Sequence, residues 1–448
     1  MTSFSVFTGV TPSQTLAANE TGYVGRDAVI QGSITGNGDN IDLHIHGSVA
    51  GLIPVSLMGT NINIVIGATG IIDALTPSST GYAGIELLTE NAATAGAGRL
   101  FNAGAIHGSG MGVFMRSMYS EDVSQVYNTG TITGESTGVY TVGAGINIIT
   151  NSGLIQGFVY GVSNTTPNFV VTNPVLKLVN TGTISGLDDA VRSGAASDSV
   201  VNRGLMQGNV HLGGGNDRFL GTTGTVDGAV YGEDGADSFF GNQNVAEIFV
   251  GGADVDTIDF RLGGAVIIAL DLSFANAGAA LGDSYFEMEN VFGSDVGNDV
   301  IRGNGAANAL FGWGGNDSLD GASGNDVLRG GTGVDTLTGG IGNDTFRFSA
   351  LNECGDVITD FGNILSSDDR FQITAAAFGG GLVAGALAAN QFITRADNLA
   401  QDADDRFIFN TTDRTLWFDA DGNGAGAAVM VADLQAGAIV TAADILLI

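Results

Sequence analysis

The stretch GWGGNDSLDGASGNDVLRGGTGVDTLTGGIGNDTFR, residues 312–347, is four copies of one nine-residue unit. Two looser units precede it, SDVGNDVIR from Ser294 and GNGAANALF from Gly303, so the array occupies 294–348. The sixth position carries Asp299, Asn308, Asp317, Asp326, Asp335 and Asp344, and the eighth carries Ile301, Leu310, Leu319, Leu328, Leu337 and Phe346. Glycines occupy the first and fourth positions as Gly312 and Gly315, Gly321 and Gly324, Gly330 and Gly333, and Gly339 and Gly342. One position is suited to bind and the other to pack.

Glycine tolerates φ > 0, so a glycine-rich turn lets successive carbonyls curl toward one point, where an Asp carboxylate completes a set of hard oxygen ligands suited to calcium. The triplet that follows predicts a short strand with one inward apolar side chain. Two units then make a coil of eighteen residues, and coils stack about 4.8 Å apart as parallel strands do. Stacking places Asp299, Asp317 and Asp335 in one column and Asn308, Asp326 and Asp344 in the other. Bare carboxylates at that spacing repel by roughly 1 kcal/mol per pair even in water. In the second unit Ala306 stands for glycine and Asn308 for Asp, so its site is expected to be weak or empty.

The repeat resembles the GGxGxDxUx nonapeptide of the repeats-in-toxin (RTX) calcium-binding family, which implies a parallel β-roll holding several calcium ions. Together with the tail, roughly residues 285–448 resemble the C-terminal region of serralysin-type secreted metalloproteases. That resemblance implies a β-sandwich-like cap over 349–448. It also implies an uncleaved secretion signal, matched here by Asp444 and the four apolar residues Ile445, Leu446, Leu447 and Ile448. Proteolysis is not implied, because the chain contains no HExxH zinc motif.

Upstream lies a second repeat, GxUxG, at Gly32, Gly47, Gly104, Gly130, Gly153, Gly182, Gly204 and Gly224. Asn102, Asn128, Asn151, Asn180 and Asn202 each stand two residues before a copy. From Gly104 onward the spacings of 20 to 29 residues match one solenoid coil, with the asparagines stacking into a ladder and the central apolar residue pointing inward. Residues 1–210 are therefore expected to form a right-handed parallel β-helix. Asp217, Asp237 and Asp256, twenty and nineteen residues apart, extend the metal-binding pattern, so the calcium roll is assigned to 211–348. Segment 260–293 lacks motif glycines and is expected to make longer strands and a lateral loop, and a helical stretch is expected around Gly385–Asn390.

Composition agrees with an all-β chain. Seventy-two glycines against five prolines in 448 residues favour tight turns between short strands. The net charge of −32 is concentrated after residue 200. Such acidity argues against nucleic acid or an anionic membrane as partner. No uncharged apolar run is long enough for a membrane span, and the first residues lack a cleavable signal pattern. Cys354 is the only cysteine, read as a small buried hydrophobe.

Other constellations read more plainly. His44 and His46 share a strand face and read as solvent-facing. Gly134–Gly138 fits GxSxG but lies at a solenoid turn, without the strand-to-helix context of a nucleophile elbow. The run from Asp419 to Gly424 imitates the start of an EF-hand loop yet has Met430 where the bidentate Glu belongs, so a turn is expected. Asp188, Asp189 and Arg192 read as surface-loop charges. The resulting expectation is a non-enzymatic extracellular protein, exported by type I secretion machinery and folded by calcium. It would serve as a structural or adhesive surface toward cell-surface polysaccharide or its own copies. The alternative is a polysaccharide-acting enzyme, an epimerase or lyase, whose catalytic module is the β-helix.

Overall fold

The computed structural model describes residues 2–74, 83–89, 96–165, 174–362 and 368–448. Nearly all regular structure is strand. Packing divides the chain into two compact units, Met1–Asn242 with Glu247–Asp254, and Gln243–Ala246 with Val255–Ile448.

The first unit is a parallel β-solenoid whose coils contribute one strand to each of three columns. One column stacks Ile62–Ile66, Ala97–Asn102, Val123–Asn128, Ile146–Asn151, Val175–Asn180 and Ser199–Asn202, all parallel and in register. A second stacks the GxUxG strands Ile71–Ala74, Ala105–Gly108, Thr131–Gly134 and Leu154–Gly157. The third includes Ala83–Thr89, Met111–Ser117, Thr137–Gly143 and Tyr160–Asn164. The two-residue strand period sends Ile106, Ile132, Ile155, Ile184 and Met206 into the core, each fully buried. The first glycine of the motif has a steric cause. A Cβ at Gly130, Gly153, Gly182 or Gly204 would collide with the carbonyl of the corresponding glycine one coil back.

The expected asparagine ladder is present. Asn102 Nδ2 donates to Asn128 Oδ1 at 2.8 Å, Asn128 to Asn151 at 2.8 Å, Asn151 to Asn180 at 2.8 Å and Asn180 to Asn202 at 3.0 Å. Each of these Nδ2 groups also reaches a carbonyl of the next coil. An amide owns both donors and an acceptor, so a stack of identical coils satisfies itself.

In the second unit the nonapeptide strands sort into two columns, eighteen residues apart within each. Val300–Arg302, Ser318–Asp320 and Thr336–Thr338 pair in parallel on one side. Ala309–Gly314, Val327–Thr332 and Thr345–Phe348 pair on the other. Ile301, Leu319 and Leu337 face Leu310, Leu328 and Phe346 as the buried apolar rows. The tail prolongs both columns. Asp356–Ile358 and then Val429–Leu434 continue the first, while Arg370–Ile373 and then Ile445–Leu447 continue the second. Antiparallel pairs join Phe407–Asn410, Thr415–Phe418 and Val429–Leu434 around Phe378, Phe407, Phe409 and Phe418.

Two expectations are corrected. The short α-helix is Ala375–Phe378, whereas Gly385–Ala386 pairs with Ile445–Leu447 and Ala389–Gln391 is a single 3-10 turn. Gly385 adopts φ 129°, outside any helix. Segment 260–293 makes strands of only two to four residues, Val266–Ala269, Ala277–Gly278, Ser284–Phe286 and Asn290–Phe292. Positive φ at Leu272, Gly278, Gly282 and Glu287 breaks it repeatedly.

Replacing Asn151 with Ala strands the Oδ1–Nδ2 partners on Asn128 and Asn180 inside a dry column. Loss of about 1–3 kcal/mol is expected, the range for unsatisfied buried polar groups, read as a lowered urea midpoint with an unchanged slope.

Candidate metal centre

Every sixth-position carboxylate of the roll is held by the coil before it. The amide of Asp299 donates to Asp317 Oδ1 at 2.8 Å, that of Asp317 to Asp335 Oδ1 at 2.7 Å, and that of Asp335 to Asp356 Oδ1 at 3.1 Å. In the other column the amide of Asn308 donates to Asp326 Oδ1 at 2.7 Å, Asp326 to Asp344 at 2.9 Å, and Asp344 to Asp369 at 2.9 Å. Asp356 and Asp369 thus end the columns, although they lie outside the nine-residue period.

One oxygen is anchored; the other is not. Oδ2 of Asp317, Asp326, Asp335 and Asp344 is buried without a hydrogen-bond partner. Each of the four points over the α-carbon of a first-position glycine, Gly312, Gly321, Gly330 and Gly339, where any Cβ would collide with it. At Gly312 and Gly321 the carbonyl of the matching glycine one coil on, Gly330 or Gly339, lies against the same space. The fourth-position glycines Gly315, Gly324, Gly333 and Gly342 adopt φ between 129° and 151° and press on the carbonyl of the preceding coil. Both glycine sets are therefore demanded by the turn.

Asp299 and Asn308 differ from these four. Asp299 Oδ2 accepts from the amide of Ser294 at 2.6 Å, and the Ser294 hydroxyl reaches both its oxygens. A serine in the first position closes the top of that column. Asn308 donates to the Glu289 carbonyl and to Asn304 Oδ1, and its own Oδ1 accepts from Asn304. Both ends of its amide are engaged.

Burial raises the carboxyl pKa to about 7 at Asp317 and Asp326, about 6 at Asp344 and about 8 at Asp356. Neighbouring aspartates push in the same direction. Asp299 and Asp335 are shifted upward for the same first reason. No group of three or more His, Cys, Asp or Glu side chains that could hold a metal occurs among the described residues. The donors present are one carboxylate oxygen per turn and backbone carbonyls. Such an all-oxygen set with soft geometry fits calcium, and offers none of the nitrogen or sulfur that zinc favours.

The remaining expected positions separate. Asp217 and Asp237 lie in the first unit, where the Asp217 amide donates to Asp237 Oδ1 at 2.7 Å. Asp256 lies in the second, its amide donating to Glu289 at 2.9 Å. His44 and His46 are half-buried, and His46 packs against Tyr23. Ser136 sits in a turn between two strands, as expected. Asp419 and Asp421 shape the connection between Thr415–Phe418 and Val429–Leu434. Cys354 is half-buried, with burial holding its thiol up at about 12.

The surface-loop reading is overturned for Asp189, while Asp188 and Arg192 are exposed as expected but on a strand rather than a loop. All three lie on the strand Thr183–Ser193, and Asp189 is buried. Asp189 binds Arg192 at 3.2 Å and faces His211 Nε2 at 3.4 Å, while His211 Nδ1 meets Glu233 at 2.6 Å. His211 stacks on Tyr231, and Arg192 lies over Tyr160. Coil stacking brings His211 and Glu233 to the Asp189–Arg192 pair, which shares one strand.

A family-model comparison matches residues 294–328 and 320–350 to the RTX calcium-binding nonapeptide repeat, in four copies. Residues 294–350 are thus an array of RTX calcium-binding repeats. No curated protein matches the chain.

The raised carboxyl pKa values set a pH dependence. Between the unfolded value near 3.8 and folded values of about 6 to 8, the metal-free native state binds more protons than the unfolded chain. Stability without metal should therefore fall as pH rises through that window. Calcium competes with those protons, so its affinity should rise over the same range. Calorimetric melting in metal-depleted buffer at pH 5 and pH 8 checks the first trend, and calcium titration at both pH values the second.

Proposed function

We propose that the protein is a secreted structural or adhesive protein that leaves the cell by type I export and folds on meeting extracellular calcium. The observation that carries this reading is the set of four buried, unpartnered carboxylate oxygens aimed at glycine-lined turns. A compact roll that buries charge in this way is poorly stable until a cation compensates it. Asp317, Asp326, Asp335 and Asp344, with carbonyls of the adjoining turns, would hold the ions, which supply the positive charge the roll lacks. A ligand that binds only the folded chain adds about 2.7 kcal/mol per site at a hundredfold excess over Kd. Extracellular calcium modules bind near 0.1–1 mM, roughly, so cytosolic calcium would leave the chain unfolded for export. The functional regions on this reading are the solenoid over 1–210, the calcium roll over 211–348, and the cap with its export signal over 349–448. The solenoid would present the adhesive surface, toward cell-surface polysaccharide or another copy.

Circular dichroism should show β-structure growing when calcium is raised to 10 mM after chelation. Asp326→Asn together with Asp335→Asn, one in each column, should remove about 5 kcal/mol of that calcium-dependent stabilisation at saturating metal. An identical β-rich spectrum in chelator and in calcium would refute calcium-driven folding.

The Asp189–Arg192–His211–Glu233 group favours a second reading, the polysaccharide-acting enzyme. It supplies an acid, a base and a cation on one solenoid face. A groove of about 470 Å³ lined by Gln156, Phe158, Ser185, Leu187, Gln207 and Asp227 opens on the same coils. If this reading holds, incubation with alginate and pectin panels should yield unsaturated ends or epimerised residues. His211→Gln should then abolish the turnover while leaving the calcium-induced fold intact.

A further inference from the structure

The nonapeptide turn occurs outside the array as well, once per coil, at a single corner of the solenoid unit. Residues 212–217 and 232–237 carry it, and the coil between 193 and 198 begins the same column. The Leu176 amide donates to Asp198 Oδ1 at 2.7 Å, the Asp198 amide to Asp217 Oδ1 at 2.6 Å, and the Asp217 amide to Asp237 Oδ1 at 2.7 Å. This is the amide-to-carboxylate linkage of the roll, met in coils of 19 and 20 residues.

The backbone agrees turn by turn. Second positions have positive φ in both places, 101° at Gly213 and 77° at Glu233 beside 74° at Trp313 and 109° at Gly331. Fourth positions do too, 101° at Gly215 and 121° at Gly235 beside 129° at Gly315. A Cβ on Gly232 would strike Asp237 Oδ2 and approach the Gly251 carbonyl, as one on Gly312 would strike Asp317 Oδ2 and approach Gly330. Even the closing device recurs. The Ser193 hydroxyl, five residues before Asp198, donates to Asp198 Oδ2, as Ser294 does to Asp299.

Asp217 is the next carboxylate of the column, one coil beyond Asp198. It is 2% exposed, and its Oδ2 has no hydrogen-bond partner. A proton there would only create a donor equally lacking an acceptor. One departure from the roll is Leu212, which replaces the first glycine of this turn.

We propose that the solenoid unit binds its own divalent cation, of calcium type, at the stacked turns 212–217 and 232–237, through Asp217 and Asp237 with carbonyls of the two turns. The site lies outside the segment matched by the family model and makes the solenoid itself calcium-responsive. It rests on the reading of orphaned carboxylate oxygens as ion ligands, so its test must separate the two regions.

Hydrogen exchange of the full chain, with and without calcium, reads both at once, and equilibrium dialysis gives the ion count. In the wild type, calcium should slow exchange at least tenfold in peptides covering 193–240 as well as in 294–350. Asp217→Asn, and separately Asp237→Asn, should cost one calcium equivalent and erase the slowing in 193–240, while 294–350 and the ladder region 97–128 stay protected. Asp335→Asn should do the reverse. The proposal is overturned if calcium slows only 294–350 in the wild type, or if both solenoid variants bind as many ions as the wild type. Absence of any calcium effect in either region would instead overturn the calcium-folding function, and this site with it.

Discussion

The second unit rests on one repeated contact, an Asp carboxylate that bridges neighbouring coils through a single oxygen. Oδ1 takes the amide of the Asp or Asn on the coil before it, at 2.7–3.1 Å throughout the roll. That bond satisfies an amide which the turn would otherwise orphan, and it requires the aspartates to recur once per coil in each column. The second oxygen of Asp317, Asp326, Asp335 and Asp344 is left buried without a partner, with an Asp or Asn above and an Asp below. Geometry and electrostatics therefore oppose each other, and a cation reconciles them.

The solenoid resolves the same stacking problem with different chemistry. Its asparagines occupy equivalent buried corners, yet each amide carries its own donors as well as an acceptor, so the ladder from Asn102 to Asn202 closes on itself. Exchanging one side-chain nitrogen for an oxygen turns a self-sufficient column into one that needs external charge. Both columns run through the same coil, where Asp198 and Asn202 bracket the strand Ser199–Asn202. An amide column and a carboxylate column thus share a single coil design.

Much of this was legible beforehand because solenoids write their geometry into sequence period. The nine-residue spacing of Asp and Leu, the GxUxG glycines and the preceding asparagines each mark a position that every coil reuses. Legibility failed where the period failed. Asp356 and Asp369 prolong the two columns at separations of 21 and 25 residues, because the tail loops out between rungs. Ser193 and Ser294 were silent, since a hydroxyl closing a column top resembles any loop serine. Asp189 reads as a surface charge because its partner His211, which in turn meets Glu233, comes from the next coil, past a register shift between Ser185 and Val191. The helix was misplaced because its alanine-rich start at Ala375 has no distinguishing cap, and Gly379 alone ends it.

The amino-acid sequence by itself determined the coil, since period, glycine placement and alternating apolar residues are local requirements of turns and strands. It also determined the chemical character of the roll, because only a carboxylate in a glycine turn offers that oxygen set. The tertiary structure decided which aspartates keep an open oxygen and which are closed by serine or asparagine. It also decided which distant charges become neighbours. Those outcomes depend on how coils of unequal length come into register, and register is set by packing across the whole stack rather than by any one repeat.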